Sequence, residues 1–175
     1  MAAETYVLAL PGPMLRRGFW LYVWRVDTPK GEMLYVGRTG DNSSPNAVAP
    51  YTRMGQHLGF SRTQNALRKH LESRGIAAEG CNAFRLIAYG PIEDEVVRDA
   101  DKDHDALMVL HTPRRDRVGA LEKKLAEALK AAKYDVLNTV KWKHEPDAQA
   151  WAKARKAFAP YFPRLEANTG GQDIA

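Results

Sequence analysis

Two runs of aromatic and β-branched residues separated by a turn constrain this chain more than any other feature. Residues 19–26 read FWLYVWRV, residues 27–31 read DTPKG, and residues 32–38 read EMLYVGR. Such side chains suit a pleated, half-buried surface, and the Pro and Gly between them favour a chain reversal. The pattern predicts an antiparallel hairpin. Register matters here, because a slip of one residue sends a strand's side chains to the opposite face. A four-residue loop over 27–30 would set Tyr22 opposite Tyr35 and put both phenols on one side of the sheet. A five-residue loop would set Tyr22 opposite Val36 and separate them.

The remaining elements follow from periodicity and punctuation. A short helix is expected over 51–58, stopped by Gly59. The next helix carries a capping box, Ser61 with Gln64, and a buried stripe of Leu67 and Leu71. Residues 83–89 (AFRLIAY) read as a third strand closed by Gly90-Pro91. Residues 92–110 read as helical, offering Ile92, Val96, Val97, Ala100, Leu107 and Met108 for burial. A separate long helix is expected over 116–133, with Leu121, Leu125, Ala128, Leu129 and Ala132 on one face. A last helix starts near Pro146 and packs through Trp151, Ala154 and Phe158. The expected fold is α+β, a small three-stranded antiparallel sheet flanked by helices. Residues 1–164 form one domain, and residues 165–175 form a fraying tail.

Charge narrows the choice of partner. Lys and Arg number 26 against 21 Asp and Glu, a net of +5. Residues 91–105 hold seven acids and two bases, a local net of −5, which leaves +10 on the rest of the chain. That imbalance points to a polyanion partner. The longest apolar runs, residues 6–11 and 19–24, fall far short of the ~20 residues a membrane span needs. The N-terminus lacks the basic region of a secretory signal, and the single Cys81 excludes an internal disulfide and a cysteine-based zinc site. A cytoplasmic location is the expectation.

Two apparent motifs dissolve on inspection. The Asp99, Asp101, Asp103, Asp105 run lacks both the Gly and the bidentate Glu of a calcium loop, and reads as a solvated acidic face. Gly37-Arg38-Thr39-Gly40 lacks the Gly-Lys-Ser/Thr ending of a phosphate-binding loop. A different set remains. Trp20-Leu21-Tyr22 and Tyr35-Val36-Gly37 occupy the two hairpin strands, followed in order by Arg53 with His57, Glu122, and Leu137-Asn138. Over residues 19–140 this order resembles the GIY-YIG nuclease family, whose two namesake tripeptides lie on the first two strands of a three-stranded antiparallel sheet. Trp20 stands where the family's first Gly is usual, and the connections 39–50 and 91–113 are longer than usual.

The residues suit phosphodiester hydrolysis on chemical grounds. Charge grows on the nonbridging oxygens, which an Arg can steady, and on the leaving oxygen, which a carboxylate-held Mg²⁺ can steady. The resemblance implies a single-metal endonuclease with Glu122 as the protein ligand of Mg²⁺ or Mn²⁺. It implies a tyrosine that activates water, with Tyr22 favoured over Tyr35. A phenol's ordinary pKa near 10 requires nearby cations for that role, and Arg38 and Arg53 are the candidates. His57 could relay a proton or contact phosphate, and Asn138 would orient the site by hydrogen bonds. Nucleic acid is the implied partner, DNA favoured over RNA, with a homodimer or a targeting protein as further partners. Basic clusters at Arg62, Arg68, Lys69 and Arg74, at Arg114, Arg115 and Arg117, and at Lys141 and Lys143 around Trp142 could hold phosphates and stack a base. The rival expectations are a nucleic-acid-binding module of the same fold that does not cleave, and a protein-interaction domain in which the tyrosines only pack.

Overall fold

The hairpin closes with a tighter turn than either loop the sequence suggested. The computed structural model describes residues 3–61, 65–97 and 101–167. In it β1 (Phe19–Thr28) pairs with β2 (Gly31–Arg38), with Thr28 opposite Gly31 and only Pro29 and Lys30 between them. Thr28 Oγ1 donates to the Gly31 carbonyl at 2.7 Å and accepts from the Lys30 amide at 3.1 Å. This register sets Tyr22 opposite Gly37 and Trp24 opposite Tyr35. Both expected pairings are therefore replaced. The parity of the four-residue alternative survives, so Tyr22 and Tyr35 share a face as diagonal neighbours.

β3 (Ala83–Glu93) pairs antiparallel with the other side of β1, giving the order β2-β1-β3. The fold is α+β, with a three-stranded antiparallel sheet and several helices, as expected. β3 does not stop at Tyr89. It continues through the Gly90–Pro91 cis peptide to Glu93, and the β1–β3 register shifts between Phe19 and Leu21. Proline is tolerated there because β3 is an edge strand and the irregularity takes up the extra residues. The helix expected from Ile92 is accordingly absent at that point, and Ile92 belongs to the strand.

α1 (Pro50–Leu58) and α2 (Ala66–Ser73) cover one face of the sheet. Gln64 of the expected capping box lies outside the described residues, and Leu67 and Leu71 are buried as expected. They pack with Tyr22, Trp24, Val26 and Met33. α3 (His104–Ala131) is one continuous helix where two were expected. Asp103 caps it, its carboxylate accepting from the Ala106 amide at 2.8 Å. Pro113 lies inside α3 and on its exposed side, as does Val109, whose carbonyl loses a partner to the proline. Of the residues offered for burial, Val96 and Leu107 are buried, Val97 is exposed, and Ala100 lies outside the described residues.

The other sheet face presents Leu21, Val23, Leu34, Val36 and Ile87 to Leu121, Leu125 and Leu129 of α3 and to Phe158 of α4 (Ala148–Phe158). Burying each such side chain stabilises the fold by roughly 1.5–3 kcal/mol. Leu165, expected to open the tail, is instead buried in this core from α5 (Arg164–Ala167). Among the described residues no helix is long and apolar enough to cross a membrane.

The outer edge of β2 is covered by the chain that leaves α3. Leu34 donates to the Asp135 carbonyl at 2.8 Å, and Leu137 donates to the Leu34 carbonyl at 2.7 Å. The Asn138 side chain then acts as the next stretch of strand. Its Oδ1 accepts from the Val36 amide at 3.0 Å, and its Nδ2 donates to the Val36 carbonyl at 2.8 Å. Asn138→Ala strips both partners from a buried peptide group and should cost about 2–3 kcal/mol, read as a lower urea midpoint with unchanged slope.

Candidate active site

Beyond Val36 the sheet edge gives way to a cavity of about 550 Å³ at the C-terminal end of β2. Strand alternation sends Tyr35 to one face and Arg38 to the other, and the cavity reaches both. Gly37 lets the two sides meet. A Cβ at residue 37 would come within 2.5 Å of the Tyr22 ring, so that ring lies across the β2 backbone only where a side chain is missing.

Tyr22, Tyr35, Arg38, Arg53, His57, Glu122 and Asn138 all line this cavity. Tyr22 is buried, and its Oη stands 2.7 Å from His57 Nε2 at the end of α1. The Tyr35 ring sits between His57 and His70, at 5.0 and 5.6 Å between centroids. Arg53, one turn before His57, places Nη2 2.8 Å from Asp41 Oδ1 and Nη1 3.0 Å from Gln56 Oε1. Arg38 Nε lies 3.2 Å from Glu122 Oε2, an ion pair without the alignment of a hydrogen bond. The same guanidinium donates to the Gly40 carbonyl and to Asn42 Oδ1. It also lies 4.7 Å from the centre of the Trp142 ring.

Burial dominates the electrostatics. The Glu122 side chain is only 15% exposed, and desolvation pushes its carboxyl up to about 7 although Arg38 and Arg53 pull the other way. Burial likewise raises the Tyr22 phenol well above its ordinary value. Tyr35 adds to that rise and Arg53 and Arg38 oppose it. The Tyr35 phenol is raised too, first by burial and then by Glu122. The two arginines expected to favour phenolate are therefore present but outweighed, and both phenols are neutral at pH 7. His57 is pushed down to about 4 by burial and by Arg53, so its imidazole is neutral as well.

Two carboxylates line the cavity, and with Asp41 engaged by Arg53 and Ser44, Glu122 alone does not make a closed metal cage. Among the described residues no group of three His, Cys, Asp or Glu side chains is placed to hold an ion. The donor chemistry does suit Mg²⁺, which binds through one or two carboxylates and otherwise keeps water and phosphate oxygens. A desolvated Glu122 beside open cavity volume is a fitting single anchor for it.

The expected basic surfaces are more divided. Lys141 lines the cavity, whereas Lys143 is exposed outside its lining. Arg115 lies 5.7 Å from the Trp142 ring, pairs with Asp116 at 2.8 Å and donates to the Asn42 carbonyl. Arg114 donates to the Asp94 carbonyl, and Arg117 pairs with Glu93. Arg68 departs from the expected basic face of α2. It is buried, pairs with Glu79 at 2.8 Å and donates to the Leu58 carbonyl at the end of α1. Arg74 pairs with Asp135, Lys69 is exposed, and Arg62 lies outside the described residues.

Asp41 and His70 line the cavity without having been singled out from the sequence. His70 follows Leu67 by three residues on α2, which places it beside the buried stripe and was a usable signal. Asp41 lies in a polar connection where no periodicity points to a partner. Comparison of the whole chain with family models, curated proteins and solved structures yields no match.

Proposed function

We propose that this protein is a divalent-metal-dependent endonuclease of the GIY-YIG type that hydrolyses phosphodiester bonds, preferentially in DNA. One observation carries the reading. Seven side chains that the sequence spreads over β1, β2, α1, α3 and the loop after α3 line one cavity, and the acidic, basic and phenolic groups among them suit phosphodiester hydrolysis.

Arg53 and Arg38 face the cavity and can take nonbridging phosphate oxygens. The attacking water would lie against Tyr22 Oη. Because that phenol is neutral, it can take the water's proton only as it passes its own to His57 Nε2, 2.7 Å away. A neutral imidazole can accept there. Water oxygen bonds to phosphorus, the bond to the leaving oxygen breaks, that oxygen takes up a proton from solvent to leave as a hydroxyl, and the proton on His57 returns to solvent. Glu122 would hold the metal ion, which when bound supplies positive charge to the leaving oxygen. Asn138 contributes through structure, fixing β2 beside Tyr35 and Gly37.

Incubation of supercoiled plasmid with protein and Mg²⁺ should yield nicked and linear DNA, and EDTA should stop the reaction. Gel retention of plasmid or single-stranded RNA without cutting would instead favour a binding module. The pH profile offers a second check. A carboxyl at about 7 is protonated below that pH and cannot hold the metal, so the rate should rise about tenfold from pH 6 to pH 8. Because protons and metal compete for Glu122, more Mg²⁺ should move the midpoint to lower pH.

A further inference from the structure

We propose that Asp41 is a positioning residue that fixes the Arg53 guanidinium in the cavity and is itself fixed from α3 by His111. The inference deepens the nuclease reading and, in its catalytic consequence, rests on it.

Asp41 is held at four points. Its amide donates to the Asn46 carbonyl at 2.8 Å. Its carbonyl stands 2.8 Å from His111 Nε2. One carboxylate oxygen accepts from Ser44 Oγ at 2.9 Å, and the other accepts from Arg53 Nη2 at 2.8 Å. A carbonyl only accepts, so His111 Nε2 carries the proton. His111 is fully buried, its ring is 5.0 Å from the Phe19 ring, and burial lowers its pKa. The ring is therefore neutral with a bare Nδ1, a buried atom that has no hydrogen-bond partner among the described residues. A single tautomer thus ties α3 to the loop after β2, and the loop ties down Arg53.

An ordinary exposed ion pair contributes little to stability. The value of this one lies in orientation. Arg53 Nη1 is already engaged by Gln56, and with Asp41 on Nη2 both ends of the guanidinium fork are held. An arginine held so presents its charge to a phosphate without reorganising, which is where electrostatic stabilisation of a transition state is largest. Without Asp41 the side chain recovers its rotamer freedom.

The Arg53 side chain in the free full chain reports on this directly, through ¹⁵N–¹H NMR of the guanidinium groups with Arg53→Lys used for assignment. In the wild type the Arg53 Nη protons should be resolved, held against rotation and exchange. In Asp41→Ala they should average or disappear, and Asp41→Glu should restore them. Asp41→Asn, which keeps an acceptor for Ser44, serves if the Ala variant does not fold, and should show the same loosening. In plasmid cleavage kcat should fall about 30-fold in Asp41→Ala with KM within about threefold, and Asp41→Glu should recover most of the loss. Arg53 signals that stay resolved in the Ala and Asn variants would overturn the inference whether or not the protein cuts DNA. Loosened signals with an unchanged kcat would overturn its catalytic half. A wild type that cuts nothing would remove the nuclease reading and still leave the NMR result to judge Asp41.

Discussion

Glu122→Gln should abolish metal-dependent cleavage, a loss of about 10³-fold or more, and should also make the protein harder to unfold above pH 7. The two effects share one cause. The carboxyl is pushed from its ordinary 4.5 up to about 7, chiefly by burial. A folded-state value above the unfolded one means that the group favours folding fully below about pH 4.5. That advantage is lost as pH rises through about 7. Above that range the ionised carboxylate costs the fold about 3 kcal/mol, as the shift requires. Glutamine stands in for the protonated acid at every pH. Arg38 keeps its hydrogen bonds to Gly40 and Asn42 in the variant. Wild type and variant should therefore melt together near pH 4. At pH 8 the variant should melt roughly 5–10 °C higher. Saturating Mg²⁺ should raise the wild-type melting temperature at pH 8 and leave the variant unmoved. Equal melting at pH 8 would show that Glu122 is not desolvated as described.

Tyr22→Phe should lower kcat by about 10³-fold with KM for DNA within about threefold, because the lost hydroxyl acts on the attacking water and not on binding. The variant also loses the 2.7 Å hydrogen bond to His57 and leaves Nε2 buried in a ring whose Nδ1 already has no hydrogen-bond partner among the described residues. That should cost about 1–2 kcal/mol. Tyr35→Phe supplies the contrast. The Tyr35 ring packs between two imidazoles, so its hydroxyl is the less critical one and the rate should fall about tenfold. A dead Tyr35→Phe beside an active Tyr22→Phe would exchange the two roles.

The hairpin was legible because residues 19–38 state it twice, in side-chain type and in turn chemistry. Its register was not. Thr28 closes the turn with its own hydroxyl and lets the strands run to within two residues of each other, which composition does not reveal. Gly90–Pro91 misled as an end to β3, and the two helices expected over 92–110 and 116–133 run as one through Pro113, for a shared reason. Proline forbids continuation only where its missing amide or displaced carbonyl is buried, and these prolines lie on an edge strand and an exposed helix side. At the candidate site, residue identities were legible through their order along the chain. Their protonation was not, since the arginines were visible in the sequence while the burial that outweighs them is a tertiary property. Asp41 was hidden likewise, because its partners Arg53 and His111 lie far along the chain.

The most direct test of a metal-dependent phosphodiester site is a crystal structure grown with Mn²⁺ and a DNA fragment bearing an uncleavable linkage, read from the manganese anomalous signal. One peak is expected against the Glu122 carboxylate, with the blocked phosphate between it and Arg53 and with Tyr22 Oη facing the phosphorus. Manganese bound elsewhere, with Glu122 paired only to Arg38 and the DNA outside this cavity, would contradict the account.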